Sequence, residues 1–440
     1  MTYQEFLNYL AQVPSFSPQQ VEVGKDPFNL NQISTLLSLL GNPHEKLKYI
    51  HIAGTNGKGS TSAFLNQILI ESDYKVGIFT SPFVERFTEQ IRINNEEISQ
   101  EALARVATKV CEMVEQMKYK GMSLPSEFEI ICSIAFLYFS EECCDMVILE
   151  TGLGGRLDAT NVIPAPLLAI ITSISLDHTQ ILGNTLEQIA TEKAGIIKHG
   201  CDVLLYPQCP DVEQVFHITC SEQNASLHKA FLPKEATTYD LSGQTFDLHS
   251  DTGSWKFEHL RIPLLGHYQI NNAAMAVNAA MLLRGKGYTI SDEHIHAGLG
   301  HTKWIGRFEL MRKEPAVIID GSHNEDGVRM LCESLHRYFP EKKIIFITGV
   351  LADKAYDKMM LSIIPLAKKF LTITPPSPRA LSSDSLALFL NSHNASAEPF
   401  DSIQDAIQAG LKEASQDDVI CIFGSLYFLG EVRHLLLSKE

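Results

Sequence analysis

Short runs of Ile, Val, Leu and Ala alternate with longer amphipathic stretches along almost the whole chain, and no other feature narrows the fold as far. A strand apolar on both faces must be covered on both faces, which the crossover helices of a parallel sheet accomplish. LKYIHIAG (47–54) reads as such a buried strand, TSAFLNQILIES (61–72) as a helix and KVGIFTS (75–81) as the next strand, which together make one βαβ unit. DMVILET (145–151) and LLAIITSI (167–174) continue the sheet, and SEFEIICSIAFLYFSEE (126–142) supplies a covering helix. The predicted class is α/β with a mostly parallel sheet.

At 440 residues the chain exceeds what one core usually holds, so two domains are expected. Residues 209–262 switch to shorter polar alternation with turn residues and predict a few antiparallel strands added at the sheet edge. GLGHTKWIGRFE (298–309) shows neither helical nor strand periodicity and reads as a linker, placing the boundary near Gly300 and the domains at 1–299 and 300–440. Beyond it PAVIIDGS, KKIIFITGV, KKFLTIT and DVICIFGS alternate with helical stretches, which predicts a smaller Rossmann-like α/β domain.

A net charge of −16 argues against nucleic acid as a partner and requires that any anionic substrate be held by local cations. No stretch has the roughly 20 apolar residues needed to span a bilayer, and MTYQEFLNYL lacks the basic and apolar blocks of a secretory signal, so a cytoplasmic protein is expected. The nine cysteines follow neither a zinc nor a disulfide spacing and read as reduced thiols.

The sharpest chemical signal is GTNGKGS: Gly54, Thr55, Asn56, Gly57, Lys58, Gly59 and Ser60, set between a buried strand and a helix start. Glycines let the backbone turn and bring N–H groups onto phosphate oxygens, the helix N-terminus adds its dipole, and Lys58 adds a point charge. The spacing departs from the common G-x-x-x-x-G-K-[ST] form. Magnesium on such phosphates needs hard oxygen ligands at neighbouring strand ends, and Glu150 ends one such strand; Ser81 and His178 are expected at the same sheet edge. Taken singly, His178 reads as an ordinary histidine. ETGLGGRLDATN (150–161) is too rich in glycine for a helix and too polar for a core strand, and reads as a binding loop over the site.

IHIAGTNGKGS, TSP, ETGLGGRLDATN, ITSISLDHTQILGNTLEQIATEKAGIIK, GHYQINNAAMAV, GRFE, DGSHN and GSLYFLGEV follow one another in this order from about Ile50 to Val432. This series resembles the folylpolyglutamate synthases, often also dihydrofolate synthases, of the Mur ligase superfamily. The resemblance implies that Lys58, Gly59 and Ser60 hold ATP phosphates, and that Ser81, Glu150 and His178 bind magnesium, with two ions expected. It also implies that Lys193 of TEKAGI is carbamylated, its carbamate oxygens lying near the second ion. It further places Asn272 at the adenine, and Arg307, Asp320 and His323 at the nucleotide from the second domain. Lys58, Lys193 and His323 are thus the expected catalytic residues, folate and L-glutamate the expected substrates, and a monomer the expected state. Where the family has Glu-Arg-Ile this chain has Glu89-Gln90-Ile91, and where it has Asp-Lys-Asp this chain has Asp353-Lys354-Ala355.

The implied reaction joins glutamate to a folate carboxylate, or to dihydropteroate, through an acyl phosphate. A carboxylate oxygen is a poor leaving group, and phosphorylation by ATP makes it a good one. Two alternatives stand beside this reading. A cell-wall Mur ligase shares the fold and mechanism, but too little chain precedes the P-loop for a UDP-binding domain. A non-catalytic P-loop regulator would bind nucleotide without forming a bond, and a complete set of metal ligands argues against it.

Overall fold

The computed structural model describes residues 1–13, 29–251 and 253–438. Its largest sheet contains β1 (Tyr49–Ala53), β2 (Val76–Phe79), β3 (Ile91–Ile93), β4 (Glu96–Glu97), β5 (Met146–Glu150), β6 (Leu168–Ile171), β7 (Asp202–Leu205) and β8 (Ser226–Lys229). Their spatial order is β4-β3-β2-β5-β1-β6-β7-β8, parallel from β2 to β8 with β3 and β4 antiparallel at one edge. Every residue of β1, β5 and β6 is buried, as two-sided helical cover demands. One core cluster gathers Phe6, Phe79, Phe136, Phe139 and Leu149, and another Ala53, Ile171, Ile189 and Phe216.

Side-chain caps fix where the important helices begin. Ser126 and Glu129 form a capping box ahead of helix Glu127–Glu141, and Thr185 and Gln188 form another ahead of helix Leu186–Ala194. The second box sets the phase of the helix that carries Lys193.

The chain divides into two compact units. The first comprises Met1–Phe83, Phe87–Phe231 and Ala274–Gly298; the second comprises Val84–Arg86, Leu232–Ala273 and Leu299–Glu440. In the second unit β9 (Thr238–Asp240), β10 (Gly243–His249) and β11 (Lys256–Ile262) make an antiparallel sheet of their own. The remaining strands are β12 (Glu309–Lys313), β13 (Ala316–Asp320), β14 (Ile344–Thr348), β15 (Ala367–Thr372), β16 (Ala397–Pro399) and β17 (Val419–Phe423). They lie in the order β12-β13-β17-β14-β15-β16, parallel except at β12.

Two expectations change. The antiparallel strands do not extend the first sheet: they form a separate sheet and group with the second unit, where Tyr239 packs edge-on against Tyr338 and under the Arg337 guanidinium. The expected linker at 298–309 is helical at its start, because helix Asp292–His301 runs through Gly298. A Cβ there would stand 2.5 Å from Ile68 Cα, so that glycine serves helix-to-helix contact and does not break the helix.

Candidate active site

β1 lies between β5 and β6, and its C-terminal end opens into the glycine loop and helix Lys58–Glu71. Ile52 is level with Glu150 and Ala53 with Ile171, so the loop emerges beside the ends of both neighbours. Ser81 follows β2, which flanks β5 with Phe79 level with Leu149. Ser81, Glu150 and His178 therefore leave the same edge of one sheet, the edge at which parallel sheets bind ligands.

Two glycines are obligatory here. Gly54 has φ +153°, and a Cβ on it would lie 1.7 Å from Thr172 Oγ1. Gly57 caps the helix with φ +85° and has no side chain to satisfy the first-turn N–H groups, which leaves them for an anion. The loop is stapled to the segment after β6: Thr55 N–H donates to Ser173 O at 2.7 Å, Thr55 Oγ1 to Ser175 O at 3.0 Å, and Ser173 Oγ to Asn56 O at 3.3 Å. Those bonds fix the path of the loop against the segment after β6.

Two lysines converge on it. Lys58 Nζ donates to Gly54 O at 3.1 Å and Thr55 O at 3.2 Å, and stands 3.9 Å from Glu150 Oε1. Lys193, buried in the last turn of its helix, donates to the same Gly54 carbonyl at 2.7 Å. Burial, then the Lys58 charge, push the Lys193 amine down to about 7, with Asp177 and Asp158 opposing. His178 sits in the left-handed region at φ +50° and its N–H donates to Asp177 Oδ1 at 2.8 Å.

Among the described residues no three His, Cys, Asp or Glu side chains form a metal cluster by themselves. Magnesium does not require one, because it is commonly held by one or two carboxylates, water and substrate phosphates. The buried Glu150 carboxylate and the Ser81 hydroxyl fit that pattern beside a phosphate loop, and His178, a nitrogen donor, leaves the same sheet edge.

In the second unit Asp320 ends β13 and its carboxylate is heavily engaged. It accepts from Tyr268 Oη at 3.0 Å, Phe308 N at 2.7 Å, Ser322 N at 2.8 Å and Ser322 Oγ. These bonds fix the turn on which His323 donates from Nδ1 to Gly321 O at 2.8 Å. Arg307 Nη1 donates to Gly306 O at 2.9 Å and fills the space beside Gly321. Asn272 Nδ2 donates to Gln269 Oε1 at 2.9 Å near the start of helix Gln269–Gly285.

Sequence reasoning passed over the residues that hold the glycine-rich loop. Asp158 is buried and accepts from Leu153 N at 2.8 Å, Thr160 N at 3.0 Å and Thr160 Oγ1 at 2.5 Å, and burial raises its carboxyl above the usual range. Asn161 Nδ2 reaches Arg156 O and Gly195 O. A polar His51 inside the apolar strand YIHIA was the available signal.

Comparison with known proteins finds relatives along nearly the whole chain. The model "Mur ligase middle domain" matches residues 52–280 and "Mur ligase, glutamate ligase domain" matches 306–426. A dihydrofolate synthase/folylpolyglutamate synthase of Bacillus subtilis is 38% identical over 92% of this chain and 94% of its own. The Mycobacterium tuberculosis folylpolyglutamate synthase solved with ADP and AMPPCP superposes with a TM-score of 0.88 at 28% identity, covering 99% of this chain and 98% of that one. A solved FPGS–AMPPCP–folate complex gives 0.86 at 31%, covering 99% and 100%. Among the described residues no helix is long and apolar enough to cross a membrane. With both Mur ligase models matched and a relative 38% identical over 92% of its length, this chain belongs to the Mur ligase family, in its folylpolyglutamate synthase/dihydrofolate synthase branch.

Proposed function

We propose that this protein is an ATP-dependent amide ligase that joins L-glutamate to a folate carboxylate. The observation that carries this reading is the convergence of Lys58 and the buried Lys193 on the Gly54 carbonyl of a phosphate loop, with Glu150 alongside, in a chain of this family. Relatives of the branch have been solved with ATP analogues and with folate.

The chain's own groups supply positioning and charge, with no covalent nucleophile. Gly57, Gly59 and Ser60 present backbone N–H groups to the phosphates, and Lys58 follows the transferring phosphoryl group. Ser81, Glu150 and His178 would hold magnesium, which when bound neutralises the phosphates and orients them. A carbamate forms only on an unprotonated amine, and the lowered position of Lys193 supports its carrying one, with two oxygens for a second ion. We assign Asn272 to the nucleotide base, and Arg307, Asp320 and His323 to the nucleotide, on the family pattern. Phosphorylation turns the acceptor carboxylate into an acyl phosphate, whose carbonyl the glutamate amine attacks, releasing phosphate. Incubation with ATP, magnesium, tetrahydrofolate and glutamate is expected to yield acceptors heavier by whole glutamyl residues in mass spectra. No mass gain with either tetrahydrofolate or dihydropteroate would refute the reading.

A further inference from the structure

His51 lies in the middle of β1, fully buried in an apolar strand, three residues before Gly54. Its Nε2 is 2.8 Å from Thr160 Oγ1, whose single proton goes to Asp158 Oδ1 at 2.5 Å. The imidazole must therefore donate from Nε2, and Nδ1 is left buried with no hydrogen-bond partner. An apolar residue would avoid that orphan, so the ring is kept for the bond that it makes.

That bond begins a closed circuit. Thr160 and Asp158 form the inner turn of the glycine-rich loop, and the loop is dovetailed into the end of the helix carrying Lys193. Arg156 N donates to Glu192 O at 2.7 Å and Asn161 Nδ2 to Gly195 O at 2.9 Å. A Cβ on Gly155 would meet Lys193 O at 2.9 Å, and one on Gly195 would meet Arg156 Cα at 2.3 Å, so neither surface has room to slide. Lys193 then returns to β1 through its bond to Gly54 O.

We infer that His51 is a positioning residue for Lys193, acting through Thr160, Asp158 and the loop they hold. The inference rests on the reading that Lys193 serves the phosphate and metal site, and goes beyond it in naming what aims that amine.

The test uses the full-length protein and titrates magnesium with a non-hydrolysable ATP analogue, reading affinity and not turnover. His51→Phe keeps the ring volume and loses the donor, whereas His51→Gln places an amide N–H where Nε2 stood. His51→Phe is expected to weaken analogue binding by about tenfold, as for other groups that orient a ligand without touching it, while His51→Gln keeps the wild-type affinity. Thr160→Val breaks the same chain at the next link, should reproduce the His51→Phe loss, and serves if His51→Phe does not fold. The deciding comparison is the double variant: in a Lys193→Ala background His51→Phe should change affinity by less than about twofold, because its route is already cut. A His51→Phe loss that persists undiminished in that background, or wild-type binding by His51→Phe, overturns the inference. Lys193→Ala binding the analogue like wild type would instead show that the reading of Lys193 is wrong.

Discussion

Lys193 and Gly54 are far apart in sequence, yet the lysine amine donates to the glycine carbonyl at 2.7 Å, which ties the phosphate loop directly to helix Leu186–Ala194. A buried ammonium beside Lys58 is costly, and the amine titrates at about 7 because neutrality is cheaper there. Chemistry that consumes a neutral amine is favoured at that position.

The first consequence concerns carbon dioxide. Growth or assay with ¹³C-bicarbonate should yield one carbamate signal in the ¹³C spectrum of the wild type and none in Lys193→Ala. Turnover lost in Lys193→Ala should be partly restored by formate or acetate, which supply the missing carboxylate oxygens. A spectrum with no carbamate, or a Lys193→Ala enzyme of normal rate, would contradict the assignment.

Lys58→Ala should fold and lose turnover by at least about 10²–10³-fold, the usual effect of deleting one group aimed at transition-state charge. Because Lys58 makes two bonds to its own loop, the thermal midpoint should be measured alongside the rate. A variant retaining near-normal glutamate ligation would remove Lys58 from the site.

Gly54→Ala should abolish nucleotide binding through sterics alone. The added methyl would overlap Thr172 Oγ1, and φ +153° is unfavourable for any L side chain. Adding Thr172→Ala removes the Oγ1 overlap but leaves residue 172 Cβ at 2.9 Å and the backbone strain, so titration calorimetry should show at most partial recovery. Full recovery would show that only the threonine demands glycine.

His51 gives the first unit an acid-sensitive element. Burial, then Lys198, push its ring down to about 3 from an ordinary value near 6.5. Between those values the unfolded chain binds a proton that the folded chain refuses. Folded stability therefore falls as pH drops through 6.5, by up to about 1.4 kcal/mol per pH unit from this one group. His51→Gln does not titrate there. Hydrogen exchange of the β1 amides should accelerate more between pH 7 and 5 in the wild type than in the variant, after correction for intrinsic rates. Parallel pH dependence would contradict the assignment.

The parts of this architecture governed by local chemistry were legible in the sequence. The buried strands announced themselves by apolar runs, and GTNGKGS by glycines set between a strand and a helix start. Gly298 misled because a glycine that makes room for Ile68 looks the same in one dimension as one that ends a helix. The antiparallel strands at 238–262 were visible, but not the sheet they would form, since that depends on distant partners such as Tyr338. His51 shows in the sequence only as a polar residue inside an apolar strand, because the partner that gives it meaning, Thr160, lies 109 positions away, and the Asp158–Thr160 turn looks like an ordinary loop until that contact is seen.

The most direct test of the whole account is phosphate release from magnesium and ATP, with glutamate present and the acceptor varied among none, tetrahydrofolate, dihydropteroate and a UDP-muramoyl peptide. The account predicts release that requires glutamate and a pteridine acceptor together, with dihydropteroate turnover marking a second activity of the same site. Release only with the UDP-muramoyl acceptor, or at an unchanged rate with no acceptor, would contradict it.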